Sequence, residues 1–260
     1  MKIREITLSK TSALHYYKLF LRSGLLFFTV AFYIYDKVTG ISDIYNDYIS
    51  RPWLLAILCG LFTFEMVLRF FPSHIESMGC QKQFYTNYKP RTNPNPIHRP
   101  KWRLIAATAV WITLNALIFI LFFTNVIDKG MMLIIALVYS VCDMVCILFF
   151  CPFETWFLKN KCCTTCRIYN WDYLMMFTPL IVIPHLTAKI LVLFALILFL
   201  RWEITYWLHP EWFYEETNAS LKCAHCTEKL CSHKRQLRKF HRKIMKKTLK
   251  VVKETTKKLR

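Results

Sequence analysis

The chain has 260 residues, of which 55% are hydrophobic and 16% aromatic, with only five glycines and a formal charge of +19. That is too apolar for an ordinary soluble domain, and five glycines leave hardly any material for a Gly-rich phosphate loop. Kinase, hydrolase, Rossmann and P-loop motifs are absent from the sequence, so the composition points to an all-α, polytopic membrane protein, more a non-enzyme than an enzyme. Long continuous apolar runs favour helices over barrel strands, which would alternate in short segments.

The first membrane helix is expected at about 20–36, where "SGLLFFTVAFYIY" runs into Asp36 and Lys37 without a small-residue cleavage pattern. Three more are expected at about 52–71, 103–126 and 131–152, each near the ~20 residues that cross a hydrocarbon core. From Trp171 to Leu208 the chain is apolar for 38 positions, interrupted by Pro179, Pro184 and the polar "HLTAK". Proline breaks the helical ladder, so this stretch reads as a hairpin with legs near 171–184 and 190–208. Its short first leg is marginal for a full crossing, and a broken or re-entrant helix is the variant.

Charge counting orients these six segments. The first 22 residues carry five Lys/Arg against one Glu, and positions 72–103 carry six against one; both are assigned to the cytoplasm. The tail from 208 onward holds fifteen Lys/Arg against five Asp/Glu. It joins them, and the loop 153–172 follows by alternation. The expectation is therefore a multi-pass protein of the cell membrane with both termini cytoplasmic. It divides into a transmembrane domain over residues 1–208, a Cys-rich segment over 209–233 and a basic tail over 234–260. The Pro-rich "KPRTNPNPIHRPK" reads as an extended cytoplasmic loop.

Two Cys-x2-Cys pairs, Cys163 with Cys166 and Cys223 with Cys226, then share one compartment. Each pair can present two thiolates from one tight turn, and together they would make the tetrahedral set that zinc favours. Cys162, Cys231, Cys80, His225 and His233 are spare donors on the same side. Four protein ligands imply a closed, structural zinc knuckle, and a scaffold, an accessory factor or a transport protein as its bearer. The surplus of cysteines keeps an iron–sulfur cluster or a dithiol centre as the alternative, which would make the protein a membrane oxidoreductase.

Glu65, Asn115 and Asp143 lie inside the apolar runs. A charge at that depth costs about 2.5–3.5 kcal/mol or more, so these side chains are expected to face the bundle interior, lining a cavity for a proton, an ion or a headgroup. Hydrogen bonding between adjacent helices explains Asn115 and Asp143 as well, and Arg69, one turn beyond Glu65, is the expected partner of that carboxylate. Arg201 and Glu203, beside Trp202 and Trp207, read as an interfacial belt.

The tail carries four basic pairs: Lys234 and Arg235, Arg238 and Lys239, Arg242 and Lys243, Lys246 and Lys247. Leu237, Phe240, Ile244 and Val251 fall on another face. A basic amphipathic helix of this kind is expected to lie on anionic inner-leaflet lipids. Nucleic acid is the less favoured partner because alternating aromatics are missing. A protein partner is the remaining expectation for a scaffold.

Overall fold

The computed structural model describes residues 10–40, 52–72, 84–91, 101–158 and 166–221. Among them the structure is all-helical, and the only β-type pairing is an isolated bridge between Pro90 and Asn218. The principal helices are α1 (Lys10–Thr39), α2 (Pro52–Leu68), α3 (Lys101–Phe123), α4 (Lys129–Leu148), α5 (Asp172–Phe177) and α6 (Leu186–Leu208). Three stretches are long and apolar enough to cross a membrane, Ser12–Thr39, Trp102–Phe123 and Lys129–Leu148.

Local chemistry sets the ends. Gly40, at φ +60°, closes α1 with its N–H on the Asp36 carbonyl at 2.8 Å, a position that glycine adopts without steric penalty. Asn125, at φ 58°, does the same after α3. Asp128 caps α4 by accepting from the Met131 N–H at 2.8 Å, satisfying one of the helix's unpaired donors. Gly130 follows, and a Cβ there would meet the Tyr33 ring at 3.0 Å. That close approach brings the Tyr33 hydroxyl onto Asp128, to which it donates at 3.1 Å.

Helix α1 lies along α4, and α2 lies along α6. Between the two pairs sits a broken leg: a 3-10 turn at Arg167–Trp171, the six-residue α5, and a second 3-10 turn at Thr178–Val182. Pro179 begins the second turn, and Pro184 precedes His185, whose side chain caps α6. The eleven residues from Asp172 to Val182 rise only about 19 Å at the usual spacings. The core forms where this leg meets its neighbours, around Phe62, Met66, Met132, Met176, Phe177 and Leu198. On α6 the buried positions Ala188, Leu191, Ala195, Leu198 and Trp202 recur every three or four residues, the stripe of a helix buried on one face.

One end of the molecule is capped by the segment 84–91 docked on 209–221. Arg91 N–H donates to Thr217 O at 3.1 Å and Ala219 N–H to Lys89 O at 2.9 Å. Asn218, completely buried, ties the cap together by donating to Trp212 O at 2.9 Å and accepting from Ser220 N–H at 3.0 Å. Phe84 packs edge-on against Trp202 of α6. The opposite end is marked by the pair Lys37–Asp128 at 2.7 Å.

Element bounds depart from the sequence reading in three places, the last principal helix, α6, beginning at Leu186 and not near 190 because His185 caps it there. Helix α1 starts ten residues before the expected position of about 20, because Ser12, His15 and Arg22 are buried on its inner face and extend the helix into what charge counting assigned to a loop. Helix α4 stops at Leu148; the chain bends and resumes as a π-helical turn, Phe153–Leu158.

A buried charge seam beside an acidic cavity

Arg22 is the centre of the site. Its side chain is 2% exposed, and its two amino groups serve two helices. Nη2 donates to Glu65 Oε2 of α2 at 2.7 Å, while Nη1 donates to Asp143 Oδ2 at 3.2 Å and to the Ser140 carbonyl at 3.1 Å, both on α4. The guanidinium also lies 5.4 Å from the Phe62 ring centroid. Glu65 is over-determined: it accepts from Tyr173 Oη at 3.1 Å and pairs with Lys18 Nζ at 3.2 Å. Buried charge is tolerated in apolar surroundings only when paired and hydrogen-bonded in this manner.

A second pair extends the seam. Arg69 meets Asp172 through a two-pronged contact, Nη1 to Oδ1 at 2.8 Å and Nη2 to Oδ2 at 2.6 Å. Its guanidinium sits between the rings of Tyr169 and Tyr173, at 5.0 and 4.7 Å. The anticipated Arg69–Glu65 pair is therefore replaced: Glu65 is taken by Lys18 and Arg22, and Arg69 turns to the broken leg. The cations Lys18, Arg22 and Arg69 balance the carboxylates Glu65, Asp143 and Asp172, joining α1, α2, α4 and α5. His15, one turn before Lys18, is 5% exposed, and neither ring nitrogen has a hydrogen-bond partner among the described residues.

Of the three intramembrane polar residues singled out from the sequence, the structure joins Glu65 and Asp143 through Arg22. Asn115 stands apart. It donates to the Trp111 carbonyl of its own helix at 2.9 Å, and its Oδ1 has no partner among the described residues.

Behind the seam, α3, α4, the π turn and the broken leg enclose a cavity of about 350 Å³. Asp143, Glu154 and Asp172 line it, together with the rings of Trp111, Tyr139, Phe153 and Tyr169. Among the described residues its lining contains no Lys, Arg or His, and the Asp143 and Asp172 carboxylates are paired with Arg22 and Arg69, which are not among the lining residues. The buried Trp111 N–H and Tyr139 O–H have no hydrogen-bond partner among the described residues. Such groups carry a desolvation cost that a bound molecule or water would relieve.

Cys166 also lines this cavity, and it is the one anticipated zinc ligand within the described residues. It is buried with Ala107 and Ile168. Burial, reinforced by neighbouring Cys151 and Glu154, pushes its thiol up to about 12, the state of an inert protonated side chain. Cys163, Cys223 and Cys226 lie outside the described residues, as do the spare donors Cys162, Cys231, Cys80, His225 and His233. So do the basic pairs assigned to the membrane surface: Lys234 and Arg235, Arg238 and Lys239, Arg242 and Lys243, Lys246 and Lys247. Among the described residues no three His, Cys, Asp or Glu side chains are grouped to hold a metal ion.

Sequence reasoning missed Lys18, Arg22, Asp172 and Glu154 as members of the site. The signal for the first two was present: Ser12, His15, Lys18, Arg22 and Thr29 fall at intervals of three, four and seven, a polar stripe along one helical face. Compared with protein-family models, curated proteins and solved structures, the chain matches none of them.

Proposed function

We propose that this is a six-segment membrane transport protein, basic ends to the cytoplasm, whose acidic cavity takes a small lipophilic cation. The observation that carries the reading is the make-up of the cavity: an almost wholly apolar, aromatic wall with three acidic residues, Asp143, Glu154 and Asp172, among its lining and, among the described lining residues, no Lys, Arg or His. An apolar, aromatic wall with carboxylates within reach is the kind of surrounding that attracts a lipophilic ammonium group. A scaffold would need no such cavity.

The seam supplies a way to bind without stranding charge. Arg22 holds Glu65 at 2.7 Å and Asp143 at the longer 3.2 Å. An incoming cation takes over Asp143 while Arg22 stays on Glu65, and Glu154, outside the six-charge seam, supplies the fourth carboxylate that matches the added positive charge. Transport then consists of Asp143 alternating between Arg22 and the cargo, within a bundle whose broken leg, α5 with its flanking 3-10 turns, is the discontinuous element that such sites use.

The test is binding and vesicle uptake of benzyltrimethylammonium by the purified full chain. Saturable binding is expected, weakened about tenfold or more, or ~1.4 kcal/mol, by Glu154→Gln and by Asp143→Asn. Glu154 is not one of the six charges of the seam, so its variant separates loss of the cavity charge from loss of the fold. Unchanged binding in Glu154→Gln, or no binding by the wild type, overturns the assignment.

A further inference from the structure

Four of the described residues that line the cavity are cysteines, Cys142, Cys146, Cys151 and Cys166, and two of them meet. The side chains of Cys146 and Cys151 are hydrogen-bonded to each other, and both are thiols in the structure, each half-buried. In an unbroken α-helix, residues five apart point about 140° away from one another, and their sulfurs would stay separate. The break at the end of α4 changes that. Phe149 and Phe150 both donate their N–H to the Val145 carbonyl, at 2.8 and 3.1 Å, α4 stops at Leu148, and the chain turns into the π-helical segment Phe153–Leu158. Cys151 is thereby brought back to Cys146. From the π turn, the Glu154 N–H donates to Cys151 Sγ at 3.4 Å.

We infer that Cys146 and Cys151 form an oxidant-reactive dithiol, which a hydroperoxide closes into a disulfide. The inference stands on this pair alone and not on cation transport. Cys151 reacts first, because it lies beyond the end of α4 and carries the Glu154 N–H, a contact that steadies negative charge on sulfur. Its thiol attacks one peroxide oxygen, the O–O bond breaks, water leaves, and Cys151 becomes a sulfenic acid. The Cys146 thiol then attacks the Cys151 sulfur, the S–O bond breaks, and a second water carries off the hydroxyl group with the Cys146 proton. The two sulfurs lose two electrons and two protons, and the peroxide gains them. Cys166, 5% exposed and packed with Ala107 and Ile168, is closed to the reagent.

The experiment treats the full chain, purified reduced in detergent, with hydrogen peroxide. Remaining thiols are blocked with N-ethylmaleimide in denaturant, and peptides are mapped by mass spectrometry after chymotrypsin, which cuts between the two cysteines at Phe149 or Phe150. Alkylation should be lost at both Cys146 and Cys151, the two should appear as one linked pair, and dithiothreitol should restore both, with Cys166 alkylated throughout. In Cys146→Ser the sulfenic acid on Cys151 has no second thiol to meet, so dimedone should label it there and leave wild-type Cys151 largely unlabelled. Cys151 that stays alkylated in the peroxide-treated wild type overturns the inference. So does Cys151 linked to any other cysteine, or dimedone labelling of the wild type equal to that of Cys146→Ser.

Discussion

Helix α1 carries a cation at each of two levels, and they live under different physics. Arg22 is 2% exposed and locked between Glu65 and Asp143; Lys37, near the far end of the same helix, meets Asp128 with 59% and 42% of the two side chains exposed. Both contacts are short, at 2.7 Å, so distance alone would rank them equal. What separates them is the state left behind when one partner goes. Water takes over the work of Lys37 at little cost. Glu65 keeps Lys18 and the Tyr173 hydroxyl, but among the described residues no other cation pairs with Asp143 to replace Arg22, and that carboxylate is left in apolar surroundings.

The largest effect is therefore expected from Arg22→Met, a loss of about 3–5 kcal/mol of stability, read as the shift of the denaturant or thermal unfolding midpoint in detergent. The double variant Arg22→Met/Asp143→Asn, which leaves the Lys18–Glu65 pair in place, should recover most of it, since the penalty comes from stranded charge and not from missing attraction. A cost below ~1 kcal/mol for the single variant would mean that the seam is hydrated, and the contrast with Lys37 would collapse.

Arg69→Met tests the second half of the seam and should fall at the lower edge of that range, about 3 kcal/mol. Asp172 keeps one other donor, the Tyr173 N–H at 2.8 Å, so it is less completely abandoned than Asp143. The same unfolding measurement decides it, and a loss equal to that of Arg22→Met would show that the Tyr173 contact contributes nothing.

How far this site was legible in the sequence depends on which signal each residue sent. Asp143 and Glu65 stand alone in apolar runs, so their depth is evident. Arg22 sits where the positive-inside count also operates, and tallying it as a loop charge hid its periodic relation to His15 and Ser12. Asp172 falls at the boundary between a Cys-rich loop and an apolar segment, where no pattern marks a side chain as buried; only the folding of the broken leg against α2 brings it to Arg69. The interruption itself was legible, because Pro179 and Pro184 state it directly. Its form as two 3-10 turns around a short α-helix was not, since proline says where a ladder breaks and not what replaces it.

The smallest effects come from the exposed end, where two substitutions separate a helix cap from an ion pair. Asp128→Ala removes the acceptor of the Met131 N–H and should cost about 1 kcal/mol, within the ~0.5–2 kcal/mol of capping substitutions. Lys37→Ala leaves that cap in place and should cost ~0–1 kcal/mol. Burial alone would raise the Asp128 carboxyl, but the hydrogen bonds from Lys37, the Met131 N–H and Tyr33 outweigh it and hold the group below the ordinary carboxylate range. A carboxyl lowered on folding stabilises above its unfolded pKa, and that contribution disappears as the pH falls through the folded value. Unfolding followed from neutral pH down into the acid range should therefore show the Asp128→Ala deficit shrinking, as the wild type loses on protonation what the variant never had. Lys37→Ala should raise the pH at which the loss is complete, because one of the groups holding the folded-state carboxyl down is gone. If Lys37→Ala proves as costly as Asp128→Ala at neutral pH, the exposed pair carries more of the stability than the cap, and exposure is not what divides the two ends of α1.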